Sequence, residues 1–589
     1  MANSAKKKLA LWLVAGAAAM LIAASTSAAA EGQYTDKMLQ PQGLNSAGIY
    51  ALRELEPDLT GSGVKFAVIC RSITYINGEP QNDYRPSTEH NCLKSRQFNF
   101  HSQDKPSAGI SPHSTAICSV LFGEDPYAHN TELGQFYYQG AVPKAQADIY
   151  EFWNFLSNKI FTGSAPDADI LTASFGNQFE DWWTRGIESM AERHGLIVVA
   201  GIGNGSHVYD SLLYPGAGAN VIGVGVIDSV KTENLSTNLA QFCLAYPEHS
   251  SLGPTDDGRC KPDIVAPGNC LAADANEPNR YEPTDNWSSF STPIVAGTIG
   301  LLVQKAKQDT SLSPAISPDG GNCVIKAILL NSATKLPYWH KGQLETNDDH
   351  QVPLDYMQGA GMLNAVGAYE HLIAGMTKPG DDATIGWDLN ELQKGKNPLN
   401  FYRITIAEPA DKFITATVIW NKHYNNVYPF EALPEKDANL RLELWAVDSE
   451  NPDNYYLLDY SDSRVDNVEH IYHQADANYT DYEIAVFYSD FDKANQPETP
   501  QRYGLAWSVS EKQDKDNIFW YDLNADGIVN ELDFNVLMNN FMASIETPES
   551  YLLGDINTDG TIDAKDFQIL TEHMSTQADW HTAQENEPK

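Results

Sequence analysis

Between residues 40 and 375 the chain repeats one pattern, a short unbroken apolar run followed by a helical stretch. The runs fall at 64–69, 169–173, 196–200 and 221–224, and helical spacing falls at 182–193, 292–307 and 324–331. A strand that is apolar at every position is buried on both faces. A parallel sheet with helices on each side meets that demand. The pattern predicts an α/β domain over residues 31–377.

From 383 to 510 the period changes to two. Segments 401–406, 413–420, 440–447, 482–488 and 503–509 alternate apolar and polar residues, with turn residues between them and no long helix. This predicts an all-β sandwich of jelly-roll or immunoglobulin-like type. Lys378-Pro379-Gly380-Asp381-Asp382 marks its boundary with the α/β block.

A small acidic block at 515–580 and a tail at 581–589 follow; residues 511–589 hold 17 Asp and Glu against 4 Lys and Arg. Acidic residues at that density need cations or leave the chain disordered, and their spacing decides which. Asp522, Asn524, Asp526, Asn530 and Asp533 occupy positions 1, 3, 5, 9 and 12 of a twelve-residue loop. Gly527 stands where the chain must turn sharply, and Ile528 offers its carbonyl at position 7. Asp555, Asn557, Asp559, Thr561, Asp563 and Asp566 repeat the arrangement 33 residues later. This is the EF-hand ligand logic with Asp as the last ligand, and it predicts two Ca²⁺ sites. Each loop runs into an apolar helix, through Phe534, Val536 and Leu537 and through Phe567, Ile569 and Leu570.

The duplicated loops resemble a type I dockerin. The resemblance implies a small all-α module folded by calcium and a cohesin as its partner. Glu531-Leu532 and Ala564-Lys565 replace the Ser/Thr pair of many cellulosomal dockerins, so no particular cohesin is implied. A purely structural calcium module is the plainer alternative.

The N-terminus has a basic start at Lys6, Lys7 and Lys8, an apolar stretch over 9–24 and small residues over 25–30. This predicts a secretory signal cleaved after Ala30, and a secreted or scaffold-bound protein with no membrane span afterwards. An uncleaved anchor is the alternative, but the run is short for one. With 39 Lys and Arg against 78 Asp and Glu, the net charge is −39. That excludes a basic nucleic-acid footprint and docking on anionic lipid. Seven cysteines, an odd number, all precede residue 330. Cys243, Cys260 and Cys270 lie close enough in sequence to pair locally, and none shows a CxxC zinc spacing.

Three segments of the α/β block carry chemistry. Ser111-Pro112-His113-Ser114-Thr115 places a histidine at the start of a helical run. Trp287-Ser288-Ser289-Phe290-Ser291-Thr292-Pro293 places a serine before a helix, in the positive field of its N-terminus. Ala200-Gly201-Ile202-Gly203-Asn204-Gly205 follows a strand and sets an amide between glycines, a donor suited to a tetrahedral oxyanion.

Together and in this order these segments resemble the subtilisin-like serine proteases. Further matches are 61–69, Ser174-Phe175-Gly176, Tyr214-Pro215-Gly216, 261–268 and 358–365. The sandwich resembles the β-domain that follows the catalytic domain in some secreted subtilases, through 439–444 and 466–469. The resemblance implies a serine endopeptidase acting on protein or peptide substrates without a catalytic cofactor. It makes Ser289 the nucleophile, His113 the general base and Asn204 the oxyanion donor. It lines the cleft with Ser174, Phe175, Gly176, Ala200, Gly201 and Ile202.

One position breaks the pattern: the family's aspartate, at the end of the first strand, is Cys70 here. Three readings stand open. The Cys70 thiol partners His113 weakly; a carboxylate from elsewhere, Asp83 or Asp104, reaches it; or the cleft binds peptides without turnover. Trp287 stands where the family has glycine, which raises the prospect of a crowded nucleophile turn.

Overall fold

A computed structural model describes residues 39–576, apart from 72–74, 77–78, 81–82, 104–108, 132–133, 206–210, 228–240, 244–249, 269, 285–286, 336–338, 343–348, 449–450, 452–453, 490–495, 512–520, 522, 524–528, 540, 543–549, 553, 555 and 557–560. The signal segment and Asp104 lie outside the described residues.

The apolar runs are strands of one sheet. They are β1 (Lys65–Cys70), β4 (Ile170–Ala173), β5 (Ile197–Gly201) and β6 (Ile222–Ile227), joined by β2 (Phe98–His101), β3 (Gln146–Glu151) and β7 (Ile264–Pro267). The order is β7-β6-β5-β4-β1-β3-β2, and every pairing is parallel. Strand direction of build-up reverses beside β1, so the carboxyl ends of β1 and β4 open on a crevice, the usual place for a site in such a sheet.

Helices α1 (Pro112–Phe122), α2 (Trp182–His194), α3 (Ser288–Gln308), α4 (Gly321–Ser332) and α5 (Ala365–Ala374) pack around the sheet. Helix α3 is buried for most of its length. It approaches the rest of the core so closely that a Cβ on Gly297 would lie 2.2 Å from that of Ala141.

The period-two block forms two antiparallel four-stranded sheets. Its strands are β8 (Ile385–Leu392), β9 (Leu399–Thr405), β10 (Lys412–Trp420), β11 (Leu440–Val447), β12 (Tyr455–Ser461), β13 (Val468–Gln474), β14 (Asp481–Tyr488) and β15 (Gln501–Glu511). The orders are β8-β15-β10-β13 and β9-β14-β11-β12. Trp420, Trp507, Tyr402 and Tyr503 fill the space between them. The first sheet docks on α4. A Cβ on Gly504 would lie 2.4 Å from the Val324 backbone nitrogen, so only glycine permits this approach. Asn331 of α4 donates to Ser508 and accepts from Thr417, and Trp387 Nε1 donates to the Leu372 carbonyl of α5.

In the C-terminal module, α6 (Glu531–Asn539) and α7 (Ala564–Glu572) follow the two loops. Residues 33 apart play the same part. Val529 exchanges backbone bonds with Ser575 and Thr576, while the Ile562 carbonyl accepts from Met542 N. Phe534 packs edge-on against Phe567 at 5.4 Å, and Leu537 and Leu570 share one small core. Met542 and Ser575 both adopt φ of 73°. The module is not wholly helical, since Ser550–Leu552 pairs antiparallel with Gln241–Cys243.

Cys70, Cys92, Cys118, Cys260, Cys270 and Cys323 are all free and buried. Cys260 and Cys270, close enough in sequence to pair, do not pair with each other. Nothing is described of the Cys243 side chain. Among the described residues no helix is long and apolar enough to cross a membrane.

Candidate active site

Cys70, His113, Asn204 and Ser289 come from four separate elements: the end of β1, the first turn of α1, the loop after β5 and the first turn of α3. Ser289 lies inside its helix rather than before it. Trp287 is the N-cap and offers no side-chain bond to the exposed amides. The Ser289 hydroxyl donates to the Ser174 carbonyl at 3.3 Å, and the Ser174 hydroxyl donates to the Ser289 carbonyl at 3.0 Å. This exchange ties the end of β4 to the start of α3.

Asn204 is held through its oxygen. Ser288 donates to Asn204 Oδ1 from both its backbone N–H and its hydroxyl, each at 2.9 Å. The Ser288 hydroxyl in turn accepts from Gly203 N at 3.2 Å. With the oxygen engaged on the helix side, the amide NH₂ is directed away from it, as a donor to an oxyanion requires. The sequence reading passed over Ser288; its only signal there was a second hydroxyl beside the first.

His113 follows the Ser111 cap, whose hydroxyl accepts from Ser114 N at 3.1 Å. Its ring lies 6.0 Å from that of Phe290, and Trp287 stacks on Phe290 from outside at 6.2 Å with planes 12° apart. Trp287 is 41 % exposed, and its described ring contact is with Phe290. Burial without a compensating charge pushes His113 down to about 4.

Cys70 faces Glu151 across the sheet register and is 4 % exposed. Burial pushes its thiol up to about 11, and the Ser114 hydroxyl offsets this in part. Burial thus biases both the thiol and the imidazole toward their uncharged forms. Glu151 is engaged elsewhere, accepting from Trp153 N and Asn154 N at 3.0 and 2.9 Å. Asp83 is buried, with its Cβ close to Gly109 on the approach to α1.

The cleft segments differ in what they can offer. Ser174, Phe175 and Gly176 run out from β4, and Phe175 packs on Phe152 at 5.3 Å. Ala200 and Gly201 are instead the last residues of β5, and Ile202 follows directly. Ala200 pairs with Ala173 and Gly223, and Gly201 with Val224. Ile202 donates to the Val224 carbonyl and accepts from Leu213 N. These bonds fix the segment that leads into Asn204. Leu213 packs against both sides of the opening: a Cβ on Gly176 would lie 2.8 Å from Leu213 Cβ, and one on Gly203 3.1 Å from Leu213 Cγ.

Of the calcium-loop ligands, Asp522, Asn524, Asp526, Ile528, Asp555, Asn557 and Asp559 lie outside the described residues. Asn530, Asp533, Thr561, Asp563 and Asp566 are described. Asp533 and Asp566, the last ligand of each loop, are fully buried. Asp533 accepts from Asn530 N at 2.7 Å and Asp566 from Asp563 N at 2.8 Å. Two buried carboxylates at equivalent places, among oxygen donors only, fit a hard cation such as Ca²⁺.

The subtilase family model matches residues 61–361 and the type I dockerin domain model residues 520–575. The chain is 26 % identical to pyrolysin of Pyrococcus furiosus over 305 residues, 45 % of this chain and 20 % of pyrolysin. It is 28 % identical to the subtilisin-like protease SBT6.1 of Arabidopsis thaliana over 274 residues, 44 % of this chain and 22 % of that protein. The chain thus spans about a fifth of the length of either relative. The solved structure of the patellamide maturation protease PatA matches 53 % of this chain and 98 % of its own, at 21 % identity and a TM-score of 0.36. The family match covers just over half of the 589 residues, and the chain belongs to the subtilase family, with a type I dockerin domain at its C-terminal end.

Proposed function

We propose that this protein is an exported serine endopeptidase of low turnover, held on a cohesin-bearing scaffold by its dockerin. The observation that carries the reading is the lock between Ser288 and Asn204, which keeps an amide donor beside Ser289 at the start of a helix. Ser289 attacks the scissile carbonyl, and His113 takes the hydroxyl proton and returns it to the leaving amine. The oxyanion is met by Asn204 Nδ2 and by the Ser289 backbone N–H, with the α3 N-terminus adding its field. Ser174–Gly176 supplies backbone groups for an extended substrate.

Turnover is low because no carboxylate stands at Cys70 to stabilise the imidazolium. The second reading, a pseudoprotease that only captures peptides, rests on that same thiol and on the depressed basicity of His113. Residues 1–30 act as the cleaved signal. In the dockerin, Ca²⁺ would be held by Asp522, Asn524, Asp526, Ile528, Asn530 and Asp533, and by Asp555, Asn557, Asp559, Thr561, Asp563 and Asp566. Bound calcium neutralises these carboxylates and lets the loops close.

The test is hydrolysis of an unfolded protein by purified Glu31–Lys589, beside Ser289→Ala. A rate that vanishes in Ser289→Ala, with wild-type Ser289 labelled by a serine-directed phosphonate, supports the protease. No hydrolysis and no labelling leaves the pseudoprotease.

A further inference from the structure

The outer sheet of the sandwich carries a cavity of about 870 Å³ that the proteolytic reading does not use. Its floor is set by strand register. On the outward face of β14, Ala485 lies between Phe401 of β9 and Glu443 of β11. Glu483 and Phe487 flank it along its own strand, and Trp445 of β11 stands opposite Glu483. One small residue is thus ringed by larger ones, and the pit between them is a consequence of the sequence.

The rings are fixed in place by charged neighbours. Trp445 Nε1 donates to Glu443 Oε2 at 2.8 Å, which sets the plane of the indole. Arg403 lies over Phe401 at 5.6 Å and reaches Glu483 at 3.4 Å. Arg441 lies over Phe487 at 5.8 Å and pairs with Glu443 at 2.5 Å. Glu443 is only 6 % exposed, so a carboxylate is held at the bottom of an aromatic pit. Such preorganisation lowers the ordering cost of binding.

The chemistry selects one class of ligand. Two acidic side chains, Glu443 and Glu483, are balanced by Lys394 and Arg403 in the lining, which favours a neutral molecule. A purely apolar ligand would strip water from the exposed Arg403 and Lys394 of the lining and return no hydrogen bond. An extended peptide adds to a free sheet edge, whereas this is a sheet face whose ladder bonds are already made between β9, β14 and β11. Its backbone amides would face rings. A pyranose has what both surfaces need: C–H groups on its faces for the aromatic rings, and hydroxyls at its rim for carboxylate and guanidinium. We propose that this face binds a neutral saccharide chain, one sugar ring over Ala485 between Phe401 and Trp445.

The test uses Glu31–Lys589 carrying Ser289→Ala, run in native gels containing hydroxyethylcellulose, arabinoxylan, galactomannan or gelatin. Retardation by at least one polysaccharide is expected. It should weaken at least tenfold in Trp445→Ala, which removes a platform, and in Ala485→Leu, which fills the floor without removing a contact. Unretarded migration in all three polysaccharides overturns the proposal. So does retardation that both variants keep, or retardation confined to gelatin and lost in the variants, which assigns the groove to a peptide.

Discussion

Replacing Cys70 by aspartate isolates the one part of the proton relay that this chain lacks. Burial holds His113 at about 4, so at neutral pH it is an uncharged, weakly basic imidazole. A carboxylate ~4 Å away, at an effective dielectric of about 20, attracts the imidazolium by about 4 kcal/mol. That is about 3 pKa units, which would bring His113 to about 7, where a general base works best. Loss of this aspartate costs about 10⁴ in kcat in the trypsin-like template and about 3 × 10⁴ in subtilisin. Desolvation of the new carboxylate, 4 % exposed at this position and beside Glu151, takes back part of the gain. We expect kcat for Cys70→Asp to rise by about 10² to 10⁴ over wild type. The assay is the pH dependence of kcat/KM on an unfolded protein, with Ser289→Ala as blank and Cys70→Asn as the uncharged control. The acid limb should move from about 4 toward about 7 in Cys70→Asp alone. The histidine Cε1–H resonance, followed by NMR, should move with it. The sign for stability is fixed by the same shift. Wild-type His113 is depressed, so the unfolded chain takes the proton first, and stability falls as pH drops from about 6.5 toward about 4. Cys70→Asp should remove that loss. A folded Cys70→Asp with no gain and an unmoved limb refutes the reasoning, as does a wild-type His113 that titrates near 6.5.

Three further outcomes follow from other contacts. Ser288→Ala frees the Asn204 oxygen and should lower kcat by about tenfold or more with KM little changed, since one oxyanion donor is worth about 10² to 10³; steady-state kinetics in the Cys70→Asp background read this. Asp263 is buried and bonded to Lys261 at 2.5 Å and Lys326 at 2.8 Å, and those lysines hold its carboxyl below the usual range against its burial. Asp263→Asn removes the charge partner of two buried lysines and should cost about 3–5 kcal/mol in a urea titration. Chelation by EDTA should unfold the C-terminal module and abolish cohesin binding, and Asp533→Ala with Asp566→Ala should do so without chelator; binding that persists in excess EDTA contradicts it.

The core strands of the parallel sheet were legible because burial on both faces leaves no polar residue to blur them, as in 196–200. Its edge was not. Phe98–His101 is partly exposed and carries Asn99 and His101, so it shows no apolar run. In the sandwich, five strands stood out by alternation. Strands β8 and β13 did not, because buried polar residues interrupt their apolar pattern, Asp388 in β8 and Glu469 and His470 in β13. Strand β12 was hidden by the register shift between Leu444 and Trp445. In the site, the motif residues were readable from their order along the chain. Their protonation was not, since it depends on how deeply the fold buries Cys70 and His113. Nor was the pairing of Ala200 and Gly201 within the sheet, which only the register with the neighbouring strands discloses.

The two readings of the cleft make different demands on the residues that remain. A groove that only captures peptides needs the backbone groups of Ser174–Gly176. It has no use for an amide aimed at a tetrahedral oxygen, because that oxygen exists only during turnover. Yet Asn204 is the best-secured side chain of the site, with both bonds to its oxygen spent on setting its direction. The missing carboxylate weakens one step, stabilisation of the imidazolium, and leaves oxyanion binding untouched. In triad enzymes the oxyanion hole and substrate binding alone retain about 10³ to 10⁴ over water. Slow chemistry of that kind is best used where substrate is kept close. A dockerin bound to its scaffold replaces encounter in solution by an effective concentration on the order of millimolar for short linkers. In the proposed reading, tethering keeps the slow site occupied by raising local substrate concentration, while the rate constant itself stays limited by the weak base.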